Sequence, residues 1–251
     1  MDLAANILTG KLQIENITAG YDGGIIIKDV SFEVPQGDIA GIIGLSGVGK
    51  STLFNVIAGL LKPYSGKVLL NGRDITDKPG SVGYMLQKDL LLPFKTVIDN
   101  ITLPLIIKGR PKKEAYGYVR PMLERFGLAD KENRYPYELS GGMRQRAALL
   151  RTYLFSQEAA LLDEPFSALD SITRSTMHNW YMDITHSLKP TTVFITHDID
   201  EVILLSDTVY VLKGKPAFLT ARTDICLSKP RSAVDTEFIR IKKQLLTELG
   251  A

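Results

Sequence analysis

Three glycines, Gly44, Gly47 and Gly49, are interleaved with Leu45, Ser46 and Val48 and run directly into Lys50, Ser51 and Thr52. Glycines at that spacing let backbone N–H groups turn inward around phosphate oxygens, which side chains would otherwise block. A helix opening after the loop adds a dipole that favours anions at its N-terminus. Lys50 can then reach the β- and γ-phosphates of a nucleotide, and the Ser51 hydroxyl can ligate Mg²⁺. The context is the required one, because an apolar strand, Asp38 to Ile43, leads in and a helical stretch, Lys50 to Gly59, leads out. The expectation is a MgATP site formed by all nine residues from Gly44 to Thr52.

A second group lies at Ala159-Ala160-Leu161-Leu162-Asp163-Glu164. An apolar strand there delivers Asp163 to its C-terminal edge, where a carboxylate can hold the water shell of Mg²⁺. Glu164 beside it is placed to accept a proton from an attacking water. An Asp-Glu pair after a strand is by itself often a solvated strand end; a phosphate loop about a hundred residues upstream gives it a task.

A third group is Leu139-Ser140-Gly141-Gly142-Met143-Arg144-Gln145-Arg146, which opens another helix. Ser140 and the two glycines make a second anion-binding helix N-terminus, although the chain already has one for its nucleotide. This string resembles the signature motif of ATP-binding cassette (ABC) ATPases. The other elements of that family follow in order: an aromatic at Tyr21, Gln87 after a strand, Ser167-Ala168-Leu169-Asp170 after the acidic pair, and Thr196-His197-Asp198 after another strand. The resemblance covers essentially the whole chain.

The resemblance implies ATP hydrolysis with Mg²⁺, by two cassettes facing each other head to tail. Ser140, Gly141, Gly142 and Gln145 would serve the ATP held by a second copy of the chain. Tyr21 would stack on adenine, Gln87 would touch Mg²⁺ and sense the transport partner, and His197 would contact the γ-phosphate and orient water near Glu164. Catalysis would thus involve Glu164, His197 and Gln87, the metal would be held by Ser51, Gln87 and Asp163, and Asp170 would link the two active sites. Two departures from the family pattern concern packing, not chemistry. Small Ala159 and Ala160 stand where bulkier aliphatics are usual, and Ser156-Gln157-Glu158 lacks a common proline.

Elements that must position these groups can be read from periodicity. Strands are expected at Leu12 to Tyr21, Ser31 to Val34 and Asp38 to Ile43, and at Gly66 to Leu70 and Val82 to Met85 on either side of the hairpin signal Asn71-Gly72. Helical spacing takes over in Val97 to Lys108, Lys112 to Phe126 and Gly142 to Phe155, interrupted by Pro104, Pro111 and Gly127. Strands and helices then alternate through Ala159 to Leu162, Ser171 to Ser187, Thr192 to Ile195, Ile199 to Ser206 and Thr208 to Leu212, before a last helix from Asp235 to Leu249. The fold class expected is α/β: a P-loop NTPase core with an antiparallel β subdomain and a helical, signature-bearing insert. One ABC ATPase domain spans residues 1–251, with core and β lobe in 1–87 and 157–251 and the helical subdomain in 88–156.

Bulk properties limit the alternatives. Hydrophobic residues make up 45% and charged residues 23% of 251 residues, which argues against disorder. A net charge of +2 does not imply a nucleic-acid surface. The one cysteine, Cys226, rules out an intrachain disulfide. Met1 to Gly10 lacks the marks of a secretory leader, and the longest apolar stretches fall far short of the ~20 residues a membrane span needs. Any link to a membrane therefore runs through a partner. Met177, His178, Trp180 and Tyr181 read as a packed helix face, and Lys112-Lys113 and Lys242-Lys243 as solvated charge.

Within the family, Leu90-Leu91-Leu92-Pro93-Phe94-Lys95-Thr96-Val97-Ile98-Asp99-Asn100 resembles the matching stretch of nitrate, sulfonate and taurine importer ATPases, as does the tail with Lys229-Pro230-Arg231. The family places the segment after Gln87 in a groove that receives a short helix of the membrane subunit. An apolar run left at a surface otherwise marks an interface. The resemblance thus implies the energising subunit of a bacterial small-solute importer. It would be peripheral at the cytoplasmic face of the membrane, partnered by transmembrane permease subunits, a second copy of itself and a solute-binding protein, and by no nucleic acid. An exporter or lipid-transport ATPase is the alternative. Chromosome-maintenance ATPases need a long coiled coil for which 88–154 is too short, and a two-cassette factor needs a second phosphate loop.

Overall fold

The computed structural model describes residues 10–156 and 158–250; the reading of the N-terminal stretch as free of a leader falls, up to Thr9, outside the described residues. Two hairpin strands come first, β1 (Leu12–Tyr21) and β2 (Gly24–Val34), then β3 (Ile39–Ile43) and α1 (Lys50–Ile57). After β4 (Ser65–Leu70), β5 (Arg73–Asp74) and β6 (Gly83–Met85), the chain turns helical in α2 (Val97–Ile107), α3 (Lys112–Arg125) and α4 (Gly141–Phe155). It closes with β7 (Ala160–Asp163), α5 (Ser171–Leu188), β8 (Thr192–Ile195), α6 (Ile199–Leu205), β9 (Thr208–Gly214), β10 (Ala217–Asp224) and α7 (Thr236–Leu249).

All ten strands join one mixed sheet in the order β5-β4-β1-β2-β10-β9-β3-β8-β7-β6. The half from β9 to β6 is parallel, and the β5-β4-β1-β2 end is antiparallel. This is the expected α/β class. Strands of the parallel half are buried on both faces, which is why they read as continuous apolar runs. In β3, Ile39 and Ile43 enter a core shared with α2 to α7, while Ala40 and Ile42 enter a second core shared with α1 and the antiparallel strands. In β7, Leu162 and Leu161 divide in the same way. Ala159 and Ala160, the small residues of that strand, are fully buried.

Several details depart from the sequence reading. Asn71 and Gly72 do form a tight turn with positive φ (53° and 74°), but the returning strand is the two-residue β5. β6 lies at the far edge of the sheet, parallel to β7. β2 begins at Gly24 rather than Ser31; the exposed polar pair Lys28-Asp29 within it masks the strand period. β10 has no counterpart in the expected elements, because its exposed positions mix Phe218, Thr220, Arg222 and Asp224. Pro104 sits inside α2 without ending it. Two of the lysines read as simply solvated are paired: Lys112 with Asp99 at 3.0 Å and Lys242 with Asp200 at 2.7 Å. Met177, His178 and Tyr181 are buried, and Trp180 packs against that core with its ring edge-on to Phe126, as a packed helix face requires.

Candidate active site

Every group of the site stands at the C-terminal edge of a parallel strand. The loop after β3 runs into α1, whose N-cap is Gly49 at φ 117°, a conformation that side-chain-bearing residues avoid. A Cβ there would come within 2.9 Å of both Ile26 and Ile27, so the loop lies tight against β2. No side chain caps α1. Its first-turn N–H groups are therefore free to bind an anion, and the cradle fits a nucleotide's phosphates.

Lys50 is 8% exposed, and its ammonium donates to the carbonyls of Gly44 (2.8 Å) and Leu45 (3.0 Å). Burial pushes its pKa down, against the pull of the Glu164 and Asp163 charges. The Ser51 hydroxyl donates to Asp163 Oδ2 at 3.4 Å. Burial, and then the charge of Glu164, push the Asp163 carboxyl up. Two hard oxygen donors thus converge where added positive charge would be favourable, which fits a divalent cation. Among the described residues no group of three or more His, Cys, Asp or Glu could hold a metal. A cation here would accordingly draw the rest of its shell from phosphate and water, the usual habit of Mg²⁺.

Glu164 follows β7 with φ 47°, left-handed for a bulky residue and worth about 1–3 kcal/mol of local strain. Its N–H donates to Ile195 O at the end of β8, 2.9 Å away. Its carboxylate accepts from Gln87 Nε2 at 3.1 Å, and the other oxygen is 3.3 Å from His197 Nδ1. The Ser167 hydroxyl donates to the Glu164 carbonyl at 3.0 Å. Gln87, Asp163, Glu164 and His197 share a cavity of about 640 Å³ with Ser46, Gly47, Gly49, Lys50, Ser51 and Thr52. The three catalytic candidates and most of the loop are thereby brought together.

Other expected residues stand apart from this cavity. Tyr21 ends β1 beside α1, 46% exposed, its hydroxyl accepting from Asn55 Nδ2 at 3.2 Å. Ser140 is the exposed N-cap of α4 and accepts from Met143 N–H at 3.3 Å. Behind it Gly142 is buried, and a Cβ there would meet the Thr173 methyl of α5 at 3.3 Å. Asp170 caps α5, accepting from the Thr173 N–H (3.0 Å) and hydroxyl (2.7 Å), and these bonds hold its carboxyl below the ordinary range. Gln145 lies one turn into α4 and is only 4% exposed. Its Oε1 has no hydrogen-bond partner among the described residues.

Sequence reasoning missed Tyr84, on β6. It pairs in register with Leu161, two residues before Asp163 on β7, and burial and then the Asp163 charge push the pKa of its phenol far up. A tyrosine in a short apolar strand gives no signal of this in sequence.

The segment after Gln87 is divided between core and surface. Leu91 is buried, whereas Leu90 and Phe94 are 52% and 72% exposed. Buried Asn100 shapes the loop, accepting from Leu92 N–H at 2.7 Å and donating to the carbonyls of Leu92, Lys95 and Thr96. Arg151 of α4 donates to the carbonyls of Asp89 and Leu90. Leu90 and Leu92, with Leu60, Pro104 and Ile107, line an apolar groove of about 430 Å³. Phe94 is not part of its wall.

Comparison with known proteins agrees with this geometry. Residues 27–167 match the ABC transporter family. The chain is 38% identical to an uncharacterized ABC transporter ATP-binding protein of Methanocaldococcus jannaschii, over 95% of this chain and 91% of the relative. It is 43% identical to the formylaminopyrimidine import ATP-binding protein ThiZ of Halalkalibacterium halodurans, over 82% and 80%. It is 38% identical to the aliphatic sulfonates import ATP-binding protein SsuB of Bacillus subtilis, over 89% and 86%. Among solved structures, cbiO1 from Clostridium perfringens, part of the ABC transporter complex cbiONQ, superposes with a TM-score of 0.77 at 25% identity, covering 98% of both chains. No helix among the described residues is long and apolar enough to cross a membrane. With a phosphate cradle, an acidic pair and a signature helix on a sheet of this topology, the chain belongs to the ABC transporter family, as its ATP-binding subunit and ATPase.

Proposed function

We propose that the chain energises an importer for a small solute of the nitrate, sulfonate or taurine kind, from the cytoplasmic face of the membrane. The importer names of relatives at 37–43% identity support this direction of transport. The observation that carries the chemistry is the Glu164 carboxylate, held between Gln87 and His197 on the wall of the cavity that contains Lys50 and Ser51. Glu164 takes the proton of the attacking water, a role worth about 10² to 10⁴ in rate. His197 orients that water and meets the γ-phosphate, and Gln87 fixes the carboxylate. Lys50 leaves the Gly44 and Leu45 carbonyls for the β- and γ-phosphates. Ser51, Asp163 and Gln87 hold Mg²⁺, which when bound neutralises charge on the phosphates. Tyr21 offers its exposed ring to adenine.

Two copies act head to tail, each placing Ser140, Gly141 and Gly142 over the phosphates in the other's loop. The absence of these residues from the wall of their own cavity supports the arrangement. Gln145 takes part from behind the loop, as packing rather than contact. Asp170 couples the two sites through Thr173, whose methyl lies where a side chain on Gly142 would stand. The core and β lobe comprise 1–87 and 157–251, and 88–156 moves with the signature. The 430 Å³ groove receives a short apolar helix of a permease subunit, and a solute-binding protein completes the system.

Reconstitution with the co-purifying membrane subunits and the binding protein tests the reading. Vesicles should accumulate labelled alkanesulfonate, or the small solute the binding protein holds, driven by ATP on this chain's side of the bilayer. ATP-driven movement in the opposite sense overturns the importer assignment.

A further inference from the structure

Tyr84 lines the apolar groove, on the strand that pairs with the one carrying Asp163 to the nucleotide cavity. Its register partner on the parallel neighbour β7 is Leu161, two residues before Asp163. Residues two apart on a strand share a face, and an aromatic side chain spans that diagonal. Tyr84 and Asp163 accordingly stand as diagonal neighbours on one face of the sheet. Its ring meets Phe54 of α1 edge-on, with centroids 5.8 Å apart at 81°. The same residue walls the apolar groove beside Leu90, Leu92 and Arg151. One rigid side chain thus borders the groove, the phosphate-loop helix and the acidic strand end.

We propose that Tyr84 is a positioning residue that carries occupancy of the groove to the Asp163 carboxylate, and so to metal binding at the ATP site. Close-packed interiors transmit displacement rather than absorb it. Tyr84 has two side-chain torsions, and Phe54 blocks retreat on one side. A side chain pressed into the groove against Leu92 therefore shifts the phenol, and the polar group beside Asp163 shifts with it. Groups that orient a metal-ligating carboxylate typically change metal affinity about 10–100-fold when removed. The inference rests on the assignment of Asp163 as a metal ligand, and on the groove being filled by a partner in the cell.

The test needs only the purified chain. Binding of a non-hydrolysable ATP analogue is measured with Mg²⁺ and with EDTA, and the ratio of the two affinities is the gain due to metal. Tyr84→Phe keeps the ring against Phe54 and should leave the EDTA affinity unchanged while cutting the gain about tenfold. Leu92→Trp, which fills the groove from within, should alter the gain in the native background and leave it unaltered in Tyr84→Phe; Leu60→Trp at the exposed edge serves the same purpose if Leu92→Trp lowers the melting temperature. Effects that simply add in the double variant overturn the coupling. Asp163→Asn, run alongside, separates the assignments. A lost gain there with a full gain in Tyr84→Phe overturns the Tyr84 link alone. A gain retained in Asp163→Asn overturns the metal assignment and the link together.

Discussion

Gln87 Nε2 donates to Glu164 Oε2 across 3.1 Å, joining the first residue of the groove-forming loop to the carboxylate that faces the nucleotide cavity. The second contact of Gln87, 3.4 Å from the Ser167 hydroxyl, ties the same amide to the turn after the acidic pair. The carboxylate on the reaction side is therefore held by a side chain whose backbone continues into the partner-facing segment. Gln87→Ala should lower kcat about tenfold or more while leaving the dissociation constant for ATP, measured with EDTA so that the metal contact of Gln87 plays no part, within about twofold, since it removes no phosphate contact. Rates equal to the native protein's would show that Glu164 needs no such support.

Asp163 offers a prediction with a definite sign. Its folded pKa lies above the unfolded value, so the fold disfavours its charged form, and the cost is present at neutral pH. As pH falls through the folded value toward the unfolded one, the carboxyl becomes protonated in both states and the cost disappears. Asp163→Asn should accordingly raise the melting temperature of the nucleotide-free protein at pH 7. The rise should shrink to nothing in acid. A gain that persists unchanged at acid pH would contradict burial of the charge as its cause.

Ser140 separates the chain's two anion-binding helix ends. Ser140→Arg should leave ATP binding to the monomer nearly intact and abolish ATP-driven dimerisation, because bulk and charge enter the contact between copies while the monomer's own cradle is untouched. Light scattering on a Glu164→Gln background reads this directly. A dimer that still forms with ATP would sink the head-to-tail arrangement.

Neighbouring leucines of the segment after Gln87 should behave in opposite ways. Leu92 faces the groove and Phe94 faces solvent, so Leu92→Ser with Phe94→Ser should nearly spare the melting temperature and ATPase rate of the isolated chain. The double variant should fail to hold the membrane subunits. Leu91, 8% exposed in the core, should instead cost about 2–5 kcal/mol as Leu91→Ala. Thermal unfolding and co-purification together distinguish the outcomes; an unfolded double variant would mean that the whole run is core.

Much of the site is legible in sequence because its parts are local strings. A strand, a glycine loop and a helix follow one another from Asp38 to Gly59, and an apolar strand ends in Asp163-Glu164. What is not legible depends on which strands become neighbours. β6 was expected to return on β4 across Asn71-Gly72 and instead lies beside β7, and only that pairing brings Tyr84 to Asp163. Gln145 falls inside α4 because helix rotation, invisible in the motif, turns it toward the core one turn after Ser140. The strain at Glu164 is similarly hidden, since its left-handed backbone is imposed by the bond from its N–H to Ile195 O.

The central claim is that Glu164 acts as the base for hydrolysis of ATP held by the Gly44 to Thr52 loop. The most direct test measures steady-state ATPase rate and ATP affinity on purified Glu164→Gln beside the native chain. The expected result is turnover reduced by about two or more orders of magnitude with ATP affinity unchanged, and a nucleotide-bound dimer that persists because hydrolysis no longer opens it. Turnover within a few-fold of native, with ATP bound equally well, would contradict the account.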